Sequence, residues 1–371
     1  MNNRNLALDG LRGLFLVIMA VNHLFGGFVR RFTAEPFGPA SAAEGFVLLS
    51  GIMFAMVYGQ RKDLAQLTKQ RLWFVYRWQI IGVLAIFASC FLAPSFYEHI
   101  WAPYFGLAEV KPHFWQVLIA SLTLTYVPSY QDVLVIYLLS IALAGIGLHL
   151  LRHGLGWLWL LISGLLWLSA KWLNADLLNP ILNLVLPDIS ASPGYFDILA
   201  WQFLFQIGLV LGYQAKYQER NFYVDNRLFN IGLVASIALI TLLWQLHKNQ
   251  VLDIQIFFSF SDSPWHALLG NNAPELGLMR IGYSLMLAYA ALLLVKFLPQ
   301  LLSGKYFVFL GQHSIQVYVF HAVAVYWLSV VVYPINQQFW WADLLISIGF
   351  ALLLLLPAYL HHRWQRRTKH G

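Results

Sequence analysis

The sequence predicts an all-α fold, a polytopic integral membrane bundle of about ten transmembrane helices with both termini on the cytoplasmic side. Three observations predict it. Of the 371 residues, 60% are hydrophobic and only 11% charged, whereas soluble globular domains carry about a quarter charged residues. Apolar runs long enough to cross a bilayer recur from one end of the chain to the other. The basic residues, finally, are shared unequally between alternate connections, as membrane topology requires. The whole chain, 1–371, reads as one membrane-embedded domain with no room for a separate soluble one.

Spans are expected at 8–29, 42–60, 72–93, 132–151, 155–173, 196–215, 228–246, 277–298, 306–333 and 341–361. The first is too long and too polar for a removable signal peptide and reads as a retained helix. With the amino terminus inside, fifteen Lys and Arg fall in inner connections, among them Arg4, Arg61, Lys69, Arg152, Lys296 and Arg366. Only Arg30, Arg31, Lys111, Lys171, Lys248 and Arg280 fall outside. That bias sets the orientation. The segment His113–Val127 is apolar but short, which suits an interfacial or re-entrant helix.

The outer connections 94–131, 174–195 and 247–276 are long and carry Tyr97, Trp101, Tyr104, Trp115, Asp176, Asp188, Asp253, Asp262, Trp265, His266 and Glu275. Their aromatic faces suit sugar rings, and equally suit anchoring at the membrane surface. The single cysteine, Cys90, excludes an internal disulfide, and no Cys/His grouping has zinc-ligand spacing, so no metal is expected. A net charge of +7 is not gathered on one soluble patch, which argues against nucleic acid.

Charge inside the apolar runs is the chemical signal. Arg12 and His23 stand eleven positions apart in the first span. Ionisable groups are expensive at membrane depth unless they pair, line a cavity or react. Eleven helical residues place both on one face, roughly 16 Å apart along the axis. Asp9, three residues before Arg12, is placed to orient its guanidinium. The plainer alternative is that Arg12 snorkels to the inner surface and His23 is a bonded core residue.

Glu44 opens the second span from outside, at a depth where it is expected to approach His23. A carboxylate beside an imidazole fixes its tautomer and raises its basicity; a favourable helix amino terminus is the simpler account of Glu44. Ser50 and Gly51 permit close helix approach. Lys69, Arg71 and Arg77 gather positive charge where the third span starts, an expected phosphate-binding cluster at the cytoplasmic mouth. A cationic mouth, a long polar face and a terminal imidazole together fit an acyl-coenzyme A, its phosphates inside and its thioester at the base.

These residues also carry a resemblance. LDGLRG from Leu8, His23 beyond it, and AEGFVLLSG from Ala43 resemble the arginine and histidine signature of the membrane acyltransferase-3 superfamily. The closer similarity is to its OpgC-type branch, shared through YRWQ from Tyr76, QDVLVIY from Gln131, FDILAWQFLFQIG from Phe196, LGLMRIGYSLMLAY from Leu276 and FLGQHSIQV from Phe309. His321 in YVFH resembles the broader superfamily instead. The resemblance covers nearly the whole chain. It implies catalytic roles for Arg12 and His23, with Glu44, Asp132, Trp201, Gln202, His313 and Ser314 lining the site. It also implies a bacterial inner-membrane enzyme that moves a succinyl or acetyl group from cytoplasmic succinyl-CoA or acetyl-CoA to a periplasmic glucan. Read from the residues alone, Asp132 suits a helix cap, Trp201 and Gln202 suit contacts between helices, and His313 suits either a donor contact or a cap.

The expected function is therefore O-acyl transfer to an extracytoplasmic glycan hydroxyl, with His23 as base, Glu44 orienting it, and Arg12 and Arg77 positioning the donor. A glycan or small-anion transporter is the alternative, though no internal repeat supports it. A third reading is a scaffold, with a glucan synthase partner or a second copy of the chain.

Overall fold

The computed structural model describes residues 5–24, 28–189, 194–252 and 269–370, and within them leaves aside the side chains at 100, 102–104, 171, 175–177, 183, 333–338 and 368–370. Asp253, Asp262, Trp265 and His266 lie outside the described residues, as do the side chains of Tyr104, Lys171 and Asp176. The described chain is helical throughout: α1 Leu6–Asn22, α2 Arg30–Thr33, α3 Ala42–Tyr58, α4 Leu64–Leu92, α5 Glu98–Phe105, α6 Phe114–Leu122, α7 Asp132–Arg152 and α8 Gly156–Trp172, then α9 Asn179–Val185, α10 Ile198–Tyr217, α11 Arg227–Lys248 and α12 Leu278–Phe297, and finally α13 Pro299–Leu302, α14 Lys305–Gln312, α15 Ser314–Gln338, α16 Trp340–Leu353 and α17 Leu355–His370. Among the described residues, seven stretches are long and apolar enough to cross a membrane, and Ala42–Tyr58 and Gly156–Ala170 are shorter apolar helices.

Local chemistry starts these helices. Asn5 caps α1 by accepting from the Ala7 and Leu8 amides, Asp197 caps α10 through Leu199 and Ala200, and Asn226 caps α11 through Phe229. Each supplies an acceptor for amides that have no partner within the helix.

Several expected boundaries move. The first helix ends at Asn22, with His23 as its C-cap, seven residues short of the expected end. The third begins at Leu64, so Lys69, Arg71 and Arg77 all lie within it. The expected span 306–333 is two helices, parted at His313, and the last span is likewise parted at Leu354. The stretch after His113 forms a nine-residue helix, too short to cross a bilayer.

The chain divides into two compact units, one of 1–49, 219–321 and 331–371, the other of 50–218 and 322–330. Three of the four crossings fall inside the unbroken helices α3 and α15, so the division does not follow separable stretches of sequence. In the second unit α7 and α10 carry the core and pack on α4 and α8. In the first, α1 lies against α13 and α14, while α11 packs on α12 and turns the rest of its surface outward.

Candidate active site

The first unit brings the expected motifs LDGLRG and FLGQHS face to face. Gly13 lies against the Phe307 carbonyl, and Gly311 against the Asp9 carbonyl, at separations with no space for a side chain. Small residues of this kind let two helix backbones touch. The result fixes α1 on α14 with Asp9 fully buried, its carboxylate 3.5 Å from the Gln312 amide nitrogen.

Arg12 leaves that seam toward α3, its guanidinium carbon 5.2 Å from the centre of the Phe46 ring. Phe46 stacks on Tyr318 of α15 at 6.5 Å, and Tyr318 meets His321 edge-on at 4.9 Å. His321 then faces His23: Nδ1 of His23 is 3.1 Å from Nε2 of His321, with the rings stacked at 5.2 Å. A continuous line of rings therefore joins the arginine to the two histidines. Neither Arg12 nor His23 is exposed.

The pairing constrains the tautomers. One facing nitrogen must donate and the other accept, because two lone pairs repel and two N–H groups clash. Nδ1 of His321 has no hydrogen-bond partner among the described residues. Of the two arrangements, the one in which His23 Nδ1–H donates to His321 Nε2 leaves the lone pair of His23 on Nε2.

Glu44 does not orient His23. Its carboxylate accepts from Arg280 Nε on one oxygen, and from the Ser41 amide and hydroxyl, at 2.9 and 2.5 Å, on the other. Arg280 belongs to α12 and is 3% exposed, not a residue of an outer connection. It also reaches Glu35 through Nη1 at 3.1 Å. A buried carboxylate takes the nearest full charge, and here that charge is a guanidinium 236 positions away in sequence.

Other expected site residues find different partners. Ser50 shares a 2.5 Å hydrogen bond with Tyr137, and Gly51 lies against the Phe205 carbonyl, so this motif joins α3 to α7 and α10 within the second unit. The Gln202 amide bridges α10 to α8: it accepts from the Ser163 hydroxyl at 2.8 Å and donates to the Ser163 and Leu199 carbonyls. Asp132 is buried and accepts from the Val133 and Tyr195 amides. Trp201 is buried against Phe196, with ring centres 4.2 Å apart. Lys69 and Arg77 are exposed on α4, Arg77 beside Trp73, and half-buried Arg71 lies by Phe74. His313 caps α14, and its Nδ1 lies 2.8 Å from Nδ1 of His361, so at least one of these imidazoles is neutral; Ser314 follows, buried.

In the aromatic connection before α7, Tyr97 and Trp101 do not face outward: both are buried, Tyr97 against Trp327 and Trp101 against Tyr326 and Trp327, and the Trp101 indole donates to the Tyr326 carbonyl at 2.8 Å. Trp115, at 71% exposed, faces outward.

Sequence reasoning left Arg280, Glu35 and the role of His321 unassigned. A charge inside an apolar run, the signal that singled out Arg12, applies equally to Arg280, which the expected span 277–298 already enclosed. Glu35 carries no such signal.

Comparison with known proteins gives one family. A family model described as OpgC protein matches residues 4–366. No curated protein and no solved structure matches the chain.

Proposed function

This chain belongs to the OpgC protein family, and from that premise we propose that it is a membrane O-acyltransferase that moves an acyl group from coenzyme A to a glycan hydroxyl across a bacterial inner membrane. The observation that carries the reading is the His23–His321 pair joined by rings to Arg12. Catalysis of this kind needs a base with an oriented lone pair and a cation that holds the donor.

In the proposed reaction His23 Nε2 takes the proton of the acceptor hydroxyl while its oxygen attacks the thioester carbonyl. The carbon–sulfur bond then breaks, coenzyme A leaves as thiolate, and the imidazolium returns the proton to it. His321 holds His23 in the required tautomer and shares the positive charge that develops. Arg12 positions the anionic donor. A covalent acyl-imidazole on His23, later captured by the hydroxyl, is the stepwise variant.

We read α1, α3 and α8 as spans beside the seven longer ones, which makes ten, with both termini cytoplasmic as the charge bias favours. The donor then comes from the inside and the acceptor from the outside, a periplasmic glucan by the family resemblance. Purified protein incubated with acyl-coenzyme A and glucan, followed by mass measurement of the glucan, tests the reading. Wild-type protein gains the acyl mass on the glucan, and folded His23→Ala does not. Full transfer by that variant overturns the assignment.

A further inference from the structure

Helix α11 is 22 residues long and apolar enough to cross a membrane, yet none of its side chains is buried. Between it and α12 runs a groove of about 640 Å³. Its α11 wall is a single helix face, because Arg227, Asn230, Ile231, Val234 and Ala238 follow one another at helical spacing. The small side chains of Ala235 and Ala238 keep that wall concave, and Leu293 and Phe297 of α12 form the other side. From Arg227 to Ala238 the groove runs roughly 16 Å along the helix, about half of the ~30 Å hydrocarbon core and so the depth of one leaflet. Spread over that length, its volume leaves a mean cross-section of about 40 Å², half or less of what an α-helix of 10–12 Å diameter needs. Extended hydrocarbon chains fit such a space; a helix of another molecule does not.

The end of the groove at Arg227 is polar and held in shape. The Tyr289 hydroxyl of α12 accepts from the Val224 amide at 3.0 Å and donates to the Asn230 side chain at 2.8 Å, while Asn230 donates to the Val224 carbonyl at 3.0 Å. This holds the backbone beside Tyr223, and Lys296 Nζ stands 3.1 Å from the centre of the Tyr223 ring. Asp225 accepts from the Tyr223 hydroxyl at 3.4 Å. Neither Arg227 nor Lys296 forms an ion pair with it, or with any other carboxylate among the described residues. Two cations against one carboxylate leave one positive charge, the complement of a single phosphodiester that carries no amine.

We propose that this groove is a binding site for an anionic phospholipid, its phosphate held by Arg227 and Lys296 and an acyl chain lying along Ile231, Val234 and Ala238. In the orientation proposed for the chain the lipid belongs to the cytoplasmic leaflet. The inference is independent of acyl transfer and requires only that α11 and α12 cross the membrane. A lipid seated here gives α11 the close packing that the protein does not supply, and joins its first turn to the last turn of α12. Occupancy therefore stabilises α11 on α12.

The test uses full-length protein stripped of lipid in a neutral detergent and titrated with phosphatidylglycerol, phosphatidylethanolamine or phosphatidylcholine, with Tm and native mass spectrometry as readouts. Phosphatidylglycerol is expected to raise Tm in proportion to the logarithm of its concentration above Kd, and to remain bound at one lipid per chain. Arg227→Gln and Lys296→Gln should each weaken that Kd about fivefold, and the double variant about 25-fold, the worth of one and two basic groups beside an anionic head. Ala235→Phe fills the groove from an exposed position; it should abolish the rise and leave the lipid-free Tm unchanged. Equal stabilisation by all three lipids, greater stabilisation by phosphatidylethanolamine, or a phosphatidylglycerol preference that survives in the double variant and in Ala235→Phe overturns the site. So does a light-scattering mass of two chains that falls to one in Ala235→Phe, which makes a second copy of the chain the occupant.

Discussion

Replacing Gly13 by alanine probes the seam that sets Arg12 in place. A Cβ on Gly13 would stand 2.7 Å from the Phe307 carbonyl carbon and closer still to its oxygen. Contact between such atoms is most favourable at roughly 3.5–4.0 Å, so α1 and α14 must part by about 1 Å and forfeit a quarter to a half of the attraction along the seam. Both partners are backbone, with no flexible side chain to turn aside. Overpacking of this sort costs about 1–3 kcal/mol, and alanine returns about 0.5–1 kcal/mol through its better helix propensity. The net loss is about 1–2 kcal/mol, or a Tm lower by about 1–3 °C in a chain of this length. Thermal unfolding of the purified protein measures it, with Gly232→Ala and Gly349→Ala as internal controls, since a Cβ at either position meets nothing within 4 Å. Those two variants should match or exceed the wild type. A Gly13→Ala protein as stable as the controls would refute the close-packed seam.

His23→Ala should lower the transfer rate by about 10²–10⁴-fold with Tm retained, the usual worth of a general base; initial rates and unfolding on one preparation check both. His321→Ala should give a smaller fall in kcat with KM little moved, and a wild-type kcat in that variant rules out a positioning role. Arg280→Met leaves Glu44 as an uncompensated buried charge and should cost about 3–5 kcal/mol, most of it recovered in Arg280→Met with Glu44→Leu; failure of the double variant to regain Tm contradicts the pairing. Gln202→Leu strands the Ser163 hydroxyl between α8 and α10 and should cost about 1–3 kcal/mol. The effect should appear in Tm, and a large rise in acceptor KM at unchanged Tm points instead to a glycan contact.

Composition and apolar periodicity made the helical membrane class legible, and the apolar run around Arg12 and His23 made it legible that neither would be exposed. Both follow from repeats along the chain. Partners did not follow, because the contacts that decide them join distant positions: His23 meets His321 across 298 residues, and Glu44 meets Arg280 across 236. Glu44 was expected near His23 from depth alone, and depth does not reveal a buried guanidinium arriving from another helix. Helix breaks were hidden for a related reason. Gly311 lies two positions before the break at His313 and Pro357 three positions after Leu354, yet the apolar residues around them keep hydropathy high, so a hydropathy reading passes straight through both breaks. Ser50 and Gln202 are polar groups in apolar spans, and their bonds to Tyr137 and Ser163 show that such groups also serve to hold helices together.

Trp101 and Trp327 meet edge-to-face with their ring centres 5.5 Å apart, and Trp327 lies on α15 six positions beyond His321. Two indoles this close couple their strongest transitions, so a far-ultraviolet exciton couplet in the circular dichroism is expected to weaken in Trp327→Phe. The helix that bears the second imidazole thus carries its own optical gauge, readable in the native protein without a dye.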